Sequence, residues 1–407
     1  MSDGRAPRIL IYSHDSFGLG HLRRCRAIAH ALVERRKDLQ VLILSGSPII
    51  GNFDFRARVD FIRVPGVIKL RNCEYTALNL HIDIDQILEL RASIIRHTAE
   101  IFDPDLFLVD KEPLGLRGDV RETLYLLRER GVPTVLGLRD VMDEPTVLAS
   151  EWERKNSVQA LVDLYDDIWV YGLPQICDPL AGIDVPRSVL RKMTYTGYLK
   201  RTLPQLSAAP APLQKIADPF ILVTTGGGGD GEFMIDWVLR AYEHDHDLPH
   251  PALLVLGPFM QSERQAEFLQ RASRLANVEA ITFEAQLEHL MDRAIGVVAM
   301  GGYNTYCEIL SFDKRALILP RTVPRMEQYI RAEKAAELGL VRMLPEDGAH
   351  DPWIMATALR DLPQQPLPSA VVVPGLLDGL DNVHRLTERR IAIGRRPALR
   401  LARRRSV

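Results

Sequence analysis

Short apolar runs alternate with helix-length amphipathic stretches along most of the chain, and this alternation constrains the fold more than any other feature. Helices are predicted over Gly20–Arg36, Gln86–Phe102 and Leu116–Arg130, and Asp143–Asp166 indicates a further long helical element. Strands that are separated by helices predict a parallel sheet covered on both faces. The predicted strands of the first half are Arg8–Tyr12, Val41–Ser45, Asp60–Val64, Leu106–Asp110, Thr134–Leu138 and Ile168–Tyr171.

A proline-rich stretch divides the alternation into two halves. Periodicity is lost from Leu203 to Pro219, where four prolines gather, which is typical of a linker. Five further strands follow: Phe220–Thr225, Ala252–Leu256, Ala280–Phe283, Gly296–Met300 and Ala316–Pro320. We therefore predict an α/β chain with two doubly wound domains that face each other across a cleft, because ligands of such sheets bind at the carboxyl ends of the strands. The predicted boundaries are 1–202 (first domain), 203–219 (linker), 220–375 (second domain), 376–394 (a helix returning to the first domain) and 395–407 (an Arg-rich tail).

Composition excludes several classes of protein. With 51 basic and 53 acidic residues among 407, the formal net charge is −2, which argues against a dedicated nucleic-acid binder. Four scattered cysteines predict neither a zinc cage nor a disulfide framework. No apolar stretch is long enough to span a bilayer, so we expect a cytoplasmic protein. The six arginines between Arg395 and Arg405 leave two options open, a disordered tail or contact with anionic lipid at the inner face of the membrane.

The first glycine turn follows the first predicted strand. Gly18 and Gly20 allow the backbone to approach a ligand, and the helix that begins there favours anions at its N-terminus. His21 then lies at the mouth of the cleft, where an imidazole can act as a general base. A tight turn with a capping histidine is the alternative.

Two further glycine turns follow strands of the second half. Gly226, Gly227, Gly228 and Gly229 are consecutive and suit a loop whose N–H groups bind a diphosphate, although neither the P-loop nor the dinucleotide spacing is present. The alternative is a flexible surface turn. In the other turn, Gly301 and Gly302 precede Asn304 and Thr305, and Glu308 lies one helical turn later, where a carboxylate can accept both ribose hydroxyls. Glu308 could instead only support the helix N-terminus.

Other candidates lie at later strand ends. Gln328 can both donate to and accept from sugar hydroxyls, and Glu327 precedes it. Asp110, Arg139 and Asp140 end strands of the first half and are candidate acceptor contacts, with solvated surface positions as the alternative.

Together these residues resemble the GT-B glycosyltransferases, with two Rossmann-like domains, and specifically the family of the peptidoglycan lipid-linked N-acetylglucosaminyltransferase. The resemblance implies that Gly226–Gly229 bind the diphosphate, and it implies the same for the Gly301–Thr305 turn. Glu308 would bind the ribose, and Phe283 and Glu284 would contact the base. That family has a pair of glutamines against the donor sugar, where this chain has Glu327-Gln328.

The first domain carries a second resemblance. The string from Gly18 to Cys25 is similar to the GxGHxxRC motif of the nucleotide-sugar hydrolase of pseudaminic acid synthesis. We therefore predict nucleotide-sugar chemistry: an inverting transferase, hexosyl or N-acetylhexosaminyl, that needs no metal or other cofactor. It would move a sugar from a UDP-sugar to a hydroxyl of a small-molecule, glycan or lipid-linked acceptor, with His21 as catalytic base. A hydrolase and a non-catalytic nucleotide-sugar binder remain as alternatives.

Overall fold

A computed structural model describes residues 5–14, 20–69, 75–203, 213, 215–227, 229–284, 286–345 and 348–394. The predicted turn residues Gly18 and Gly228 lie outside these ranges, as do residues 204–212 and 214 of the predicted linker and the Arg-rich tail 395–407. Among the described residues, no helix has the length and apolar character needed to cross a membrane.

The first half of the chain forms a seven-stranded parallel sheet in the order β3-β2-β1-β6-β7-β8-β9, and β4 and β5 form a separate antiparallel hairpin. The strands are β1 (Arg8–Ser13), β2 (Gln40–Ser45), β3 (Val59–Arg63), β4 (Val67–Lys69), β5 (Tyr75–Ala77), β6 (Leu106–Asp110), β7 (Thr134–Arg139), β8 (Asp167–Tyr171) and β9 (Met193–Tyr195). The helices are α1 (Gly20–Arg35), α2 (Ile84–Phe102), α3 (Arg121–Glu129), α4 (Pro145–Arg154), α5 (Ser157–Leu164) and α6 (Arg187–Leu190), with a 3₁₀ turn at Ile50–Asn52.

The second half forms a six-stranded parallel sheet in the order β12-β11-β10-β13-β14-β15. Its strands are β10 (Ile221–Thr224), β11 (Ala252–Val255), β12 (Val278–Ile281), β13 (Gly296–Ala299), β14 (Ala316–Ile318) and β15 (Arg342–Met343). The helices are α7 (Glu232–His244), α8 (Ser262–Ser273), α9 (Leu287–Arg293), α10 (Tyr303–Ser311), α11 (Glu327–Glu337), α12 (Pro352–Asp361) and α13 (Gly379–Gly394), with 3₁₀ turns at Leu362–Gln364 and Pro368–Ala370.

The central strands of both sheets are buried on both faces. Every residue of Ile9–Ser13 in β1 and of Ile221–Thr224 in β10 is buried. This explains why these strands appear in the sequence as continuous apolar runs, since a strand with one solvated face would alternate apolar and polar residues. The prediction of an α/β chain with two doubly wound parallel sheets is confirmed.

The strand order reverses at β1 in the first sheet and at β10 in the second. The chain passes from β1 to β2 on one side, and β6 later pairs with the other side of β1. In the second sheet, β11 and β13 flank β10 in the same way. Such a reversal opens a crevice at the carboxyl ends of the strands, where ligands of open α/β sheets bind. Gly20 begins α1 after β1, and the two glycine turns of the second half follow β10 and β13, so these residues lie at the crevices.

Helix α13 packs on the first sheet's side of the molecule. Asn382 Nδ2 donates to the Thr196 carbonyl at 2.7 Å, and Arg36, the residue directly after α1, donates two hydrogen bonds to Glu388. The segment before the helix was predicted to be helical from Leu376, but Tyr198 N donates to the Leu376 carbonyl and the helix begins only at Gly379.

Two other predicted helices differ from the observed ones. Asp143–Asp166 is two helices, because Asn156 between α4 and α5 has a left-handed backbone with φ of 54°. The helix predicted from Leu116 begins at Arg121 instead. Before it, the Leu116 N–H donates to Asp119 Oδ1 at 2.8 Å and to Tyr12 Oη at 3.1 Å, which holds this segment in a turn.

Candidate active site

The carboxyl ends of the two sheets face each other, and side chains from both halves meet between them. Asn304 Nδ2 of α10 donates to the carbonyl of Gly20, the first residue of α1, at 3.0 Å. Arg325 donates to Asp143 at 3.0 Å, which joins the segment after β14 to the segment after β7. These residues therefore border a cleft that lies between the carboxyl ends of the two sheets, where ligands of open α/β sheets bind.

His21 and Asp110 form a hydrogen-bonded pair on the first-domain side of the cleft. His21 Nδ1 lies 2.6 Å from Oδ2 of Asp110, the last residue of β6. Arg24, one turn along α1, donates to both oxygens of Asp110, at 2.8 and 2.6 Å. Burial alone would raise the pKa of Asp110, but Arg24 and His21 hold it well below its ordinary range. The carboxylate is therefore ionised at neutral pH.

This pairing fixes which nitrogen of His21 carries the proton. An ionised carboxylate only accepts hydrogen bonds, so the short contact with Asp110 requires a proton on Nδ1. Arg24 Nη2 also lies 2.9 Å from Nδ1, but a guanidinium has no acceptor for that proton. Nε2 is then the basic nitrogen. Burial lowers the pKa of His21 to about 4, because the contribution of Asp110 offsets it only in part, and the ring is neutral at pH 7.

The loop after β10 is held at its base by two threonines. Thr224 Oγ1 accepts from the Gly226 N–H at 3.2 Å, and Thr225 Oγ1 donates to the Leu256 carbonyl at 2.6 Å. Gly226 has a left-handed φ of 70°, and an added Cβ at Gly226 or Gly229 would meet no described atom within 4 Å. The backbone of this loop, which precedes α7, therefore leaves space next to Gly226 and Gly229.

The turn after β13 leads into α10. Gly301 has φ of 79°, and a Cβ there would lie 2.8 Å from Ile318 Cγ2, so only glycine fits. A Cβ at Gly302 would meet no described atom within 4 Å. Thr305 is half-buried in the first turn of the helix. The Asn304 side chain bonds to Gly20 and to Arg201 between the two halves.

Glu308 is 1% exposed, and one of its two oxygens is paired. Arg23 of α1 donates from Nη2 to Glu308 Oε1 at 2.6 Å and to Glu288 Oε1 at 2.8 Å. Glu308 Oε2 is buried and has no hydrogen-bond partner among the described residues. Burial raises the pKa of Glu308 to about 7 despite the ion pair with Arg23. A buried carboxylate oxygen without a donor is costly, and a ligand hydroxyl would satisfy it.

The remaining donor-side candidates lie along the same edge of the second sheet. Phe283 is 52% exposed, so its ring is available for stacking, and Glu284 accepts from the Gln286 N–H at 2.8 Å. Glu327 Oε1 accepts from Arg321 Nη2 at 2.9 Å, and Gln328 Oε1 accepts from the Arg321 N–H at 3.2 Å. Burial opposes ionisation of Glu327, but Arg139 and Arg321 hold its pKa below the ordinary value.

The three acceptor candidates have three different environments. Asp110 is the partner of His21. Arg139 lies 4.0 Å from Glu327 across the cleft. Asp140 is fully buried, accepts two hydrogen bonds from Arg331 at 2.7 Å each and accepts a third from Tyr198 at 2.8 Å. Its carboxylate therefore joins the two halves.

Sequence reasoning did not predict the ion pairs that arginines form across the cleft. Arg23, Arg325 and Arg331 each pair with carboxylates of the opposite half. Arg331 also donates to the Gly301 carbonyl at 2.9 Å, which ties it to the turn before α10. The one available signal was that Arg23 lies two residues after His21 on α1, at the N-terminal end that borders the cleft.

No protein-family model matches the chain, and no curated protein sequence matches it. Solved structures do match. The glycotransferase of kitacinnamycin aligns with a TM-score of 0.59 over 95% of this chain and 100% of that chain, at 16% identity. MurG of Acinetobacter baumannii aligns with a TM-score of 0.57 over 94% and 99%, at 12% identity. Medicago truncatula UGT71G1 complexed with UDP-glucose aligns with a TM-score of 0.58 over 95% and 98%, at 15% identity.

At these identities the likeness establishes the fold and nothing more. The alignments cover almost the whole of each chain, so both halves and the cleft between them belong to the shared architecture. The chain has the GT-B fold, and the expectation of that fold is confirmed.

Proposed function

We propose that this protein is an inverting glycosyltransferase that moves a sugar from a UDP-sugar to an acceptor hydroxyl. The observation that carries the proposal is the 2.6 Å contact between His21 Nδ1 and Asp110 at the cleft. It leaves a basic Nε2 on a neutral imidazole, and Glu308 and the two glycine turns after β10 and β13 lie in the opposite half. The GT-B fold supports the proposal, because solved structures that share it include one complexed with UDP-glucose and one complexed with dTDP.

The chemistry assigned to His21 is a single displacement. Nε2 takes the proton of the acceptor hydroxyl while that oxygen bonds to the anomeric carbon of the donor sugar. The bond from this carbon to the diphosphate oxygen breaks, and its electron pair leaves with UDP. Attack opposite the leaving group inverts the configuration at the anomeric carbon. Asp110 stabilises the imidazolium that forms, because its ionised carboxylate accepts the hydrogen bond from Nδ1–H throughout.

The donor is assigned to the second half of the chain. Glu308 Oε2 would accept from a ribose hydroxyl, Phe283 would stack on the base, and Glu327 and Gln328 would contact the sugar. The negative charge that develops on the departing diphosphate would be stabilised by the N–H groups of the loop around Gly226 and of the α10 N-terminus. The proposal includes independence from divalent metal, so EDTA is expected to leave turnover unchanged.

The test separates chemistry from binding in one variant. A panel of UDP-hexoses and UDP-N-acetylhexosamines is incubated with the protein, with and without candidate acceptors, and UDP release is measured. His21→Ala is expected to lower turnover by about 10²–10⁴-fold, the usual cost of losing a general base, and to leave UDP affinity in calorimetry unchanged.

His97→Ala is the matched control, because that side chain is mostly exposed on α2 and faces no cleft. It should change neither turnover nor UDP affinity. Near-normal turnover of folded His21→Ala would remove His21 as the base. UDP release that does not depend on any acceptor would instead favour hydrolysis of the nucleotide sugar.

A further inference from the structure

Lys111 and Arg139 occupy neighbouring positions at the edge of the first sheet that borders the cleft. Lys111 directly follows β6 and Arg139 ends β7, and these two strands pair in the sheet. The Lys111 N–H donates to the Gly137 carbonyl at 2.8 Å, which continues the pairing by one residue. The backbone of Lys111 is left-handed, with φ of 69°. A residue with a side chain pays about 1–2 kcal/mol for this conformation, and such strain collects at functional sites.

Neither cation has a hydrogen-bonded carboxylate among the described residues. Lys111 Nζ lies 3.7 Å from Glu112 Oε1, and Glu112 already accepts from Lys155 at 3.0 Å. Arg139 Nη1 lies 4.0 Å from Glu327, whose Oε1 already accepts from Arg321, and Arg139 Nε is buried without a partner. The side chains of Lys111 and Arg139 are only 13% and 14% exposed.

Other arginines of the cleft are satisfied within the protein. Arg24, Arg325 and Arg331 each donate to a carboxylate at 3.0 Å or less. Buried cations are normally paired, because an unpaired charge loses its hydration without compensation. The contrast therefore indicates that Lys111 and Arg139 are arranged for an anion that is not part of the chain.

The charges of Lys111 and Arg139 act on groups of both halves of the cleft. Burial is the main cause of the lowered pKa of His21, and the charge of Lys111 adds to it. Burial opposes the lowered pKa of Glu327, Arg139 contributes most to lowering it, and Lys111 acts in the same direction. Lys111 is thus close enough to act on groups from both halves, and Arg139 faces Glu327 directly.

We propose that Lys111 and Arg139 bind an acidic group of the acceptor, a carboxylate or a phosphate, next to the hydroxyl that His21 deprotonates. This proposal rests on the proposed transfer function. Both residues belong to the first domain, opposite the loops assigned to the donor diphosphate. The fork of Arg139 matches two oxygens of one anion, and the ammonium of Lys111 adds a point charge.

The experiment measures binding in UDP-saturated protein by calorimetry. The probes are methyl β-D-glucuronide, its neutral counterpart methyl β-D-glucoside, and inorganic phosphate. The glucuronide or phosphate is expected to bind at least about tenfold more tightly than the glucoside, and the tighter of the two identifies the acid. Lys111→Met and Arg139→Met should each weaken that binding by about tenfold to hundredfold, as for a lost charged hydrogen bond.

Lys111→Arg keeps the charge and should retain the binding. Lys334→Met removes an exposed lysine paired with Glu337 on α11 and should have no effect. Unchanged UDP affinity in each variant shows that it is folded. The acidic subsite would be overturned if neither the glucuronide nor phosphate bound more tightly than the glucoside, or if that binding were unchanged in both Met variants. Anion binding that occurs without UDP but is lost in the UDP-saturated protein would do the same, because the pair would then bind the donor diphosphate. A failure of UDP to bind at all would count against the proposed function instead.

Discussion

Replacing Arg331 with Met should destabilise the protein through one buried carboxylate. Arg331 Nε and Nη2 donate to the two oxygens of Asp140 at 2.7 Å each, and Nη1 donates to the Gly301 carbonyl at 2.9 Å. The side chains of this pair are at most 1% exposed. In the variant, Asp140 keeps only the hydrogen bond from Tyr198 and stays out of reach of water.

The size of the effect follows from the burial of the pair. Removing one partner of a buried ion pair costs about 3–5 kcal/mol. Unfolding of a chain of 407 residues has an entropy of roughly 0.85 kcal/mol/K. The melting temperature of Arg331→Met should therefore fall by about 4–6 °C if the whole chain unfolds in one step. If the two domains unfold separately, the entropy of each is about half as large and the shift about twice as large.

Scanning calorimetry of three variants checks this reasoning. Lys334→Met, on the same helix, removes one partner of an exposed ion pair and should leave the melting temperature unchanged. The double variant Asp140→Leu/Arg331→Met leaves neither charge and should be more stable than Arg331→Met alone. A melting temperature of Arg331→Met within about 1 °C of the wild type would refute the idea that the pair is buried in solution. A double variant no better than the single one would show that packing, not charge, explains the loss.

Three further predictions concern the proposed site. Glu308→Ala should weaken UDP binding by about tenfold to hundredfold, because a charged hydrogen bond to the ribose is lost, and unchanged affinity in calorimetry would remove Glu308 from the site. At low pH, kcat/KM should fall with an apparent pKa near 4 rather than 6.5, because Nε2 of His21 stays unprotonated down to its lowered pKa. A fall with an apparent pKa near 6.5 would mean that His21 is solvated. The pKa of Glu308 is raised to about 7, so its contribution to the free energy of unfolding is fully present below about pH 4.5 and is lost as the pH rises through 7. The variant Glu308→Gln should lack that loss when its unfolding is measured against pH. Identical pH dependence in the variant and the wild type would contradict the prediction.

The sequence was most informative about strands and turns, because these depend on residues that are close together in the chain. Continuous apolar runs predicted the buried strands, because a strand covered on both faces needs no polar alternation. The two glycine turns of the second half do follow strands, as predicted. Glycine is needed at Gly301 because of both its φ and the lack of space for a Cβ. Short edge strands such as β9 and β15 were missed, and their two or three residues carry no pattern of their own.

Contacts between distant segments could not be predicted in the same way. Asp110 was recognised as a strand-end carboxylate, but its role as the partner of His21 depends on β6 pairing with β1, and the two residues are 89 positions apart. Likewise, the chain has 42 arginines, and nothing local distinguishes Arg331, which is buried, from one on the surface. Topology decides which charges meet, so these roles become visible only in the fold.

The same contacts connect the proposed base to the proposed diphosphate site. Arg24, which holds Asp110, and Arg331, which holds Asp140, both lie over the ring of Tyr303, with 5.4 and 5.8 Å between guanidinium carbon and ring centroid. Tyr303 is the first residue of α10, whose N-terminus faces the cleft. A displacement of α10 would therefore disturb a partner of Asp110, and through it the orientation of His21. The orientation of His21 thus depends on how the two domains are arranged, because Asp110, which orients it, is connected through Arg24 to Tyr303 of α10, the helix assigned to the diphosphate.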